Sequence, residues 1–173
     1  MLTVDEFPAT TDELRQVYGC HPSGVVAVCA LIGDEPVGMA VSSFTPVSLE
    51  PALVSVCMQQ ASTTWPRLRA SGRLGISILA QGQESTCRSL SAKHGDRFST
   101  SSWEPTSDGS VFIHGAAAWL DCSLYDEVQA GDHTIALLRI HGVQTSIGID
   151  PLVFHSSSFR QLSTPHGLTL SGS

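Results

Sequence analysis

GMAVSSFTPVSLEP, Gly38 to Pro51, runs out of a strand-like stretch and into a second apolar one, Leu53 to Met58. Few core strands look like it. Small residues (Gly38, Ala40, Ser42, Ser43) and hydroxyls (Ser42, Ser43, Thr45, Ser48) surround a single aromatic, Phe44. Small side chains let a flat ligand approach the backbone, and hydroxyls and free N–H groups can hydrogen-bond its polar edge. Taken alone, the stretch reads equally as an edge strand running into a turn.

Two further segments carry the same ambiguity. QQASTTWP, Gln59 to Pro66, follows the second apolar run. Ser62 is a good N-cap and Pro66 suits a first helical turn, so a helix is expected to run to about Ser71 and stop at Gly72. Its N–H groups, dipole and hydroxyls (Ser62, Thr63, Thr64) suit a phosphate, although an ordinary capped helix has the same features. Farther on, Gly131-Asp132-His133-Thr134 opens the run Ile135 to Ile140. It places an imidazole at the mouth of a strand, or else is a plain turn with a solvated histidine.

Together and in this order, these pieces resemble the flavin reductase family, the short-chain reductase components of two-component flavin monooxygenases. The resemblance spans Phe7 to Leu162. It includes HPSGVVAV (His21 to Val28), VGMAVSSFTPVSLEPALVSVC (Val37 to Cys57) and STTWPRLRASGRLGISIL (Ser62 to Leu79). AKHGDRF (Ala92 to Phe98), GDHTI (Gly131 to Ile135) and PLVFHSSSF (Pro151 to Phe159) complete it.

The resemblance implies a mainly β fold with a few helices, a split β-barrel that binds FMN at a homodimer interface. It also implies hydride transfer from NADH or NADPH to FMN or FAD, with the reduced flavin passing to a partner monooxygenase. In this pattern Gly38, Met39, Ala40, Val41 and Ser42 form the strand that meets the isoalloxazine edge, and Phe44 and Thr45 continue that wall. Gln59, Gln60, Ala61, Ser62, Thr63, Thr64 and Trp65 form the loop that holds the ribityl phosphate. Many relatives have a lysine in this loop, and Gln60 is expected to take its place. Arg97 and Phe98 resemble a further flavin contact. Gly131, Asp132 and His133 resemble the nicotinamide side, with His133 as the candidate catalytic residue. His155 and Phe159 are candidates near the same mouth. Such chemistry needs the nicotinamide C4 over flavin N5 at about 3–3.5 Å, and the cofactors supply the reactivity.

Composition agrees with this class. The chain has 173 residues, 42% of them hydrophobic, which suits one globular domain over 1–162 and a loose Ser/Gly-rich tail over 163–173. A formal charge of −7 with Lys93 as the only lysine argues against nucleic-acid binding. No run of 18 apolar residues predicts a membrane span, and the acidic start does not read as a signal peptide, so a cytoplasmic location is expected. The five cysteines are widely spaced; Cys29 and Cys57 sit in apolar runs and read as buried thiols. The seven histidines show no ligand spacing, so no metal site is expected. GxGxxG, GxxxxGK[ST] and GxSxG are absent.

Thr10-x-x-Glu13 is a capping box for a helix from Thr11 to about Tyr18. Strands are expected over Val25–Leu31, Pro36–Ser43, Leu53–Met58 and Leu74–Leu79, then a helix from about Gln83 to Lys93. Arg97 to Ser110 reads as a polar loop and a candidate mobile lid. Ala116–Val128 and Thr134–Ile147 form a long hairpin, and Pro151–Phe154 closes the sheet. Many short antiparallel strands predict a closed barrel, which removes exposed edges. The competing readings are a non-catalytic flavin- or haem-binding barrel, a barrel that keeps its flavin as a prosthetic group, and a subunit that only docks the oxygenase. The GDH turn and the small-residue strand favour the reductase.

Overall fold

A computed structural model describes residues 10–163. The tail expected over 163–173 therefore lies outside the described residues, apart from Ser163. In chain order the elements are α1 (Thr11–Gly19), β1 (Ser23–Gly24), β2 (Val26–Ile32), β3 (Glu35–Val41), β4 (Thr45–Leu49), β5 (Ala52–Gln59) and α2 (Trp65–Arg69). Then follow β6 (Leu74–Ile78), α3 (Glu84–Leu90), β7 (Trp103–Pro105), β8 (Val111–Ile113), β9 (Ala118–Ala130), β10 (His133–Thr145), β11 (Val153–His155) and β12 (Ser158–Arg160). The capping box at α1 forms as read: Glu13 N–H donates to Thr10 Oγ1 at 3.2 Å, and Thr10 N–H donates to the Glu13 carboxylate at 2.6 Å.

Seven strands form one antiparallel sheet in the order β3-β2-β6-β9-β10-β5-β4. β2 shows why its sequence is continuously apolar. Val26, Val28 and Ala30 face one core with Val54, Val56, Met58, Leu68, Ile76 and Leu138. Ala27 and Cys29, on the other face, join a second core with Leu79, Leu90, Phe98, Val111, Ile113 and Leu152. A strand buried on both faces loses the polar alternation that marks a half-exposed one. Where β8 crosses β6, a Cβ on Gly75 would stand 2.2 Å from the Val111 carbonyl oxygen, so only glycine fits.

The expected closure of the barrel is corrected here: no ladder joins the edge strands β3 and β4. They are nevertheless neighbours in sequence, linked only through Ser42, Ser43 and Phe44, which holds the two edges of the curled sheet near each other at that corner. There the Ser43 hydroxyl accepts the N–H of Cys57 at 2.8 Å and donates to the Cys57 carbonyl at 3.2 Å. A side chain thus takes the place of a ladder rung.

Two other expectations change. The helix expected from Ser62 to about Ser71 shrinks to Trp65–Arg69, because Ser62, Thr63 and Thr64 form the approach to it; Ser62 Oγ still accepts the Trp65 N–H at 3.1 Å. The Arg97–Ser110 segment is not a free lid. Phe98 is buried, Ser110 is fully buried, and Trp103–Pro105 pairs with Val111–Ile113. Phe98 packs edge-on against Trp103 at 6.0 Å between ring centres. The segment's polar composition hid these two aromatic anchors. Among the described residues no helix is long and apolar enough to cross a membrane.

Candidate functional site

Three strand ends meet beside the unpaired corner. β3 ends in Met39, Ala40 and Val41, β5 ends in Gln59, and β10 begins with His133, which pairs directly with Gln59. The loop after β5 and the segment after α3 close the sides. The result is a cleft of about 630 Å³ lined by Met39, Ala40, Val41, Ser42, Gln59, Ala61, Ser62, Thr63, Thr64, Arg97 and His133. All of these were candidates from sequence, although they come from four separate segments. Its size lies within the ~300–1,000 Å³ range of small-molecule sites.

Arg97 is held from two sides. Its guanidinium donates to the Gly38 carbonyl at 3.0 Å and to the Thr64 hydroxyl at 2.8 Å. One permanent cation is thereby fixed between β3 and the hydroxyl-rich loop. On the opposite side, Gln60 pins the GDH turn. Its side-chain amide donates to the Gly131 carbonyl at 2.9 Å and its backbone N–H to the Asp132 carbonyl at 3.0 Å. Gly131, at φ +63°, supplies the left-handed residue that this two-residue turn needs. Asp132 Oδ1 lies 2.7 Å from His133 Nδ1, and this hydrogen bond holds the Asp132 carboxyl below its ordinary range. The contact orients the half-buried imidazole.

The remaining candidates do not line this first cleft. Gly38 lies in β3 with its missing side chain directed at Cys29 and Phe98, so its smallness serves the second core. Phe44 packs against the first core and Phe98 belongs to the second. Thr45 is exposed on β4 opposite Ser55. Trp65 is 5% exposed and donates its indole N–H to Glu127 at 2.8 Å, turned into the protein. Gln60, Gly131 and Asp132 shape the rim without lining the cleft. His155 and Phe159 lie in the separate β1-β11-β12 sheet, where Phe159 packs against Phe154 and under the Arg88 guanidinium.

Six lining residues escaped the candidate set: Ser43, Cys57, Leu90, Ser91, Lys93 and His94. Lys93 is the chain's only lysine. It reaches the cleft from the segment after α3, whereas Gln60, expected in place of the usual lysine, is occupied with the GDH turn. A lone lysine inside the AKHGDRF motif was the available signal. Cys57, read as buried and inert, is half-buried at the cleft wall.

A second cleft of about 440 Å³ adjoins the first. It shares Thr63, Thr64 and Arg97 with it and adds Glu35, Pro36, Arg67 and Asp96 together with the sequence candidates Gly38 and Phe98.

Comparison with known proteins agrees with this geometry. Residues 18–163 match the family described as flavin reductase like domain. A flavin reductase of Pseudomonas putida is 36% identical over 146 residues, covering 84% of this chain and 86% of the relative. The reductase subunit of a flavin-dependent monooxygenase from Rhodococcus jostii is 32% identical, covering 84% and 74%. Among solved structures, the NADH:FAD oxidoreductase of Streptomyces globisporus in complex with NAD and FAD fragments superposes with a TM-score of 0.85. It is 33% identical and covers 94% of this chain and 99% of its own. The chain belongs to the flavin reductase like domain family.

Proposed function

We propose that this protein is an NAD(P)H:flavin oxidoreductase that reduces FMN or FAD and releases the reduced flavin to a partner monooxygenase. The observation that carries this reading is the meeting, at one cleft, of the small-residue end of β3, the Ser62–Thr64 hydroxyls with Arg97, and His133. The donor set fits a flavin. Ser62, Thr63, Thr64 and Arg97 suit its phosphate, with Lys93 as a second cation on the same wall. Met39 to Ser43 offer a strand end at an unpaired corner for the polar edge of a planar ring. A bound flavin supplies the hydride-accepting chemistry. The protein holds it, and His133, oriented by Asp132, meets the nicotinamide at the rim.

We place the chain in a split-barrel homodimer. The unclosed corner leaves the cleft open on one side, and the nearby β4 edge carries exposed Val47 and Leu49, an unusual apolar pair for a solvated strand edge. A second copy would cover both.

The test is direct. Purified protein is mixed with NADH or NADPH and with FMN, FAD or riboflavin, and loss of the nicotinamide absorbance is followed. Oxidation that requires added flavin is expected. No turnover with any pairing would overturn the reading. Light scattering should report a dimer; a fully active monomer would remove the dimer from it.

A further inference from the structure

Resting on the reading above, in which His133 meets the nicotinamide, we propose that Gln60 is a positioning residue: it sets the GDH turn, and through it His133, without touching the flavin. The turn is the two-residue end of a long hairpin, with Ala130 paired to His133 across it. The far end of such a hairpin is held only by its own ladder unless something outside grips it. Here β5 supplies the grip. Gln59 pairs with His133, and Gln60 continues past that last pair. Its backbone N–H donates to the Asp132 carbonyl at 3.0 Å and its side-chain amide to the Gly131 carbonyl at 2.9 Å. One residue thus holds both central residues of the turn. Among the described residues, its amide makes the only side-chain hydrogen bond to the turn's backbone. Asp132 passes the constraint on, since its carboxylate meets the imidazole at 2.7 Å.

Gln60 is itself well fixed. It opens the loop of Ser62, Thr63 and Thr64, which closes at Trp65. Ser62 N–H donates to the Gln59 carbonyl at 2.9 Å, and Ser62 Oγ accepts the Trp65 N–H at 3.1 Å. The Trp65 indole in turn donates to Glu127 of β9 at 2.8 Å. Both ends of the hydroxyl loop are therefore tied to the hairpin that carries His133. Gln60 is exposed and lines no part of the first cleft, so its amide serves the turn and not a ligand there. An exposed hydrogen bond adds little to folding stability, but it can fix a neighbouring side chain, and misplacing a reacting group by ~1 Å can cost about a hundredfold in rate.

The experiment is stopped-flow reduction of pre-bound FMN by varied nicotinamide in the parent, Gln60→Met, His133→Ala and the double variant, with FMN titrations and melting curves alongside. Gln60→Met keeps the length and the backbone bond to Asp132, so the chain should fold. It should lower the limiting reduction rate, or raise the nicotinamide concentration for half-maximal rate, about fivefold, the size of one net hydrogen bond. The FMN Kd should change less than about twofold. The double variant should be no slower than His133→Ala alone, because Gln60 acts through that histidine. Parent-like reduction in Gln60→Met would overturn the proposal, as would losses that simply add in the double variant. An FMN Kd that weakens as much as the rate falls would also overturn it, by making Gln60 a support of the flavin loop. In each of these cases flavin-dependent oxidation by the parent leaves the reductase reading standing. If the parent oxidises no nicotinamide with any flavin, both fail.

Discussion

Arg97 and Thr64 are joined by a 2.8 Å hydrogen bond across 33 residues of chain, and the same guanidinium nitrogen holds the Gly38 carbonyl. The arginine therefore positions the hydroxyl loop against β3 as well as supplying charge.

Replacing Arg97 separates the two roles. Arg97→Ala should weaken FMN by about 1.5–3 kcal/mol, the range for a hydrogen bond to a charged group, and riboflavin much less. Arg97→Lys keeps the charge but not the planar fork, so it should recover only part of the loss. Flavin fluorescence titration measures both. Equal losses for FMN and riboflavin would reduce Arg97 to a structural tie.

The Asp132–His133 contact predicts a coupled change. His133→Ala should raise the KM for the nicotinamide, or slow reduction of pre-bound flavin by about 1–3 kcal/mol, and leave the flavin Kd unaltered. It should also let the Asp132 carboxyl rise toward its ordinary range, because the imidazole hydrogen bond is what lowers it. The sign is that of a depressed carboxylate: the contact is complete above the ordinary value and is lost as pH falls through the lowered one. Stopped-flow reduction and a carboxyl NMR titration check the two halves. Unchanged reduction at every nicotinamide concentration would make His133 a solvated turn residue.

The cysteines should react in a graded order. Burial pushes the Cys29 and Cys122 thiols up to about 12, so both should resist alkylation near pH ~8 in the folded protein. Exposed Cys20 should react first. Cys57, on the cleft wall, should react slowly and be protected by FMN. Mass spectrometry of alkylated peptides with and without FMN reads this out; protection at Cys20 instead would misplace the ligand.

Gly38→Ala probes the packing of the second core beneath the site. A Cβ there would lie 2.5 Å from the Cys29 sulfur and 2.9 Å from the Phe98 ring. Overpacking of this kind costs about 1–3 kcal/mol, and Cys29→Ala in the same chain should return part of it. Urea unfolding of the single and double variants tests the coupling. Additive losses would mean that the contact is relieved elsewhere.

Much of this molecule was legible before folding because its signals are local. The Thr10–Glu13 box and the long hairpin each depend on neighbours in sequence, and each forms within one or two residues of its expected place. The three site motifs were legible as chemistry, and the topology brings them together. What stayed hidden depends on distance through space. Nothing local shows that Trp65 finds Glu127 across 62 residues, or that Gln60 spends its amide on Gly131. His155 and Phe159 were expected near the mouth from the resemblance alone, and their strands belong to a different sheet. Phe98 was read as a ligand contact from the resemblance; it lines the second cleft, and the polarity of its segment concealed its anchoring to Trp103.

The Ser43 hydroxyl, bonded to both backbone groups of Cys57, marks a break in the hydrogen-bonded ladder at the cleft wall. Amides around this break should exchange with solvent sooner than those of β2 or β6, since fewer rungs hold them. A ligand that bonded to the strand ends at this corner would act as the missing rung between them. Occupancy and folding are then one equilibrium. Saturation at a hundred times Kd adds about 2.7 kcal/mol to stability, and giving the ligand up returns the corner to its looser state. A carrier that must surrender its cargo to another enzyme thus becomes softest at the moment of transfer.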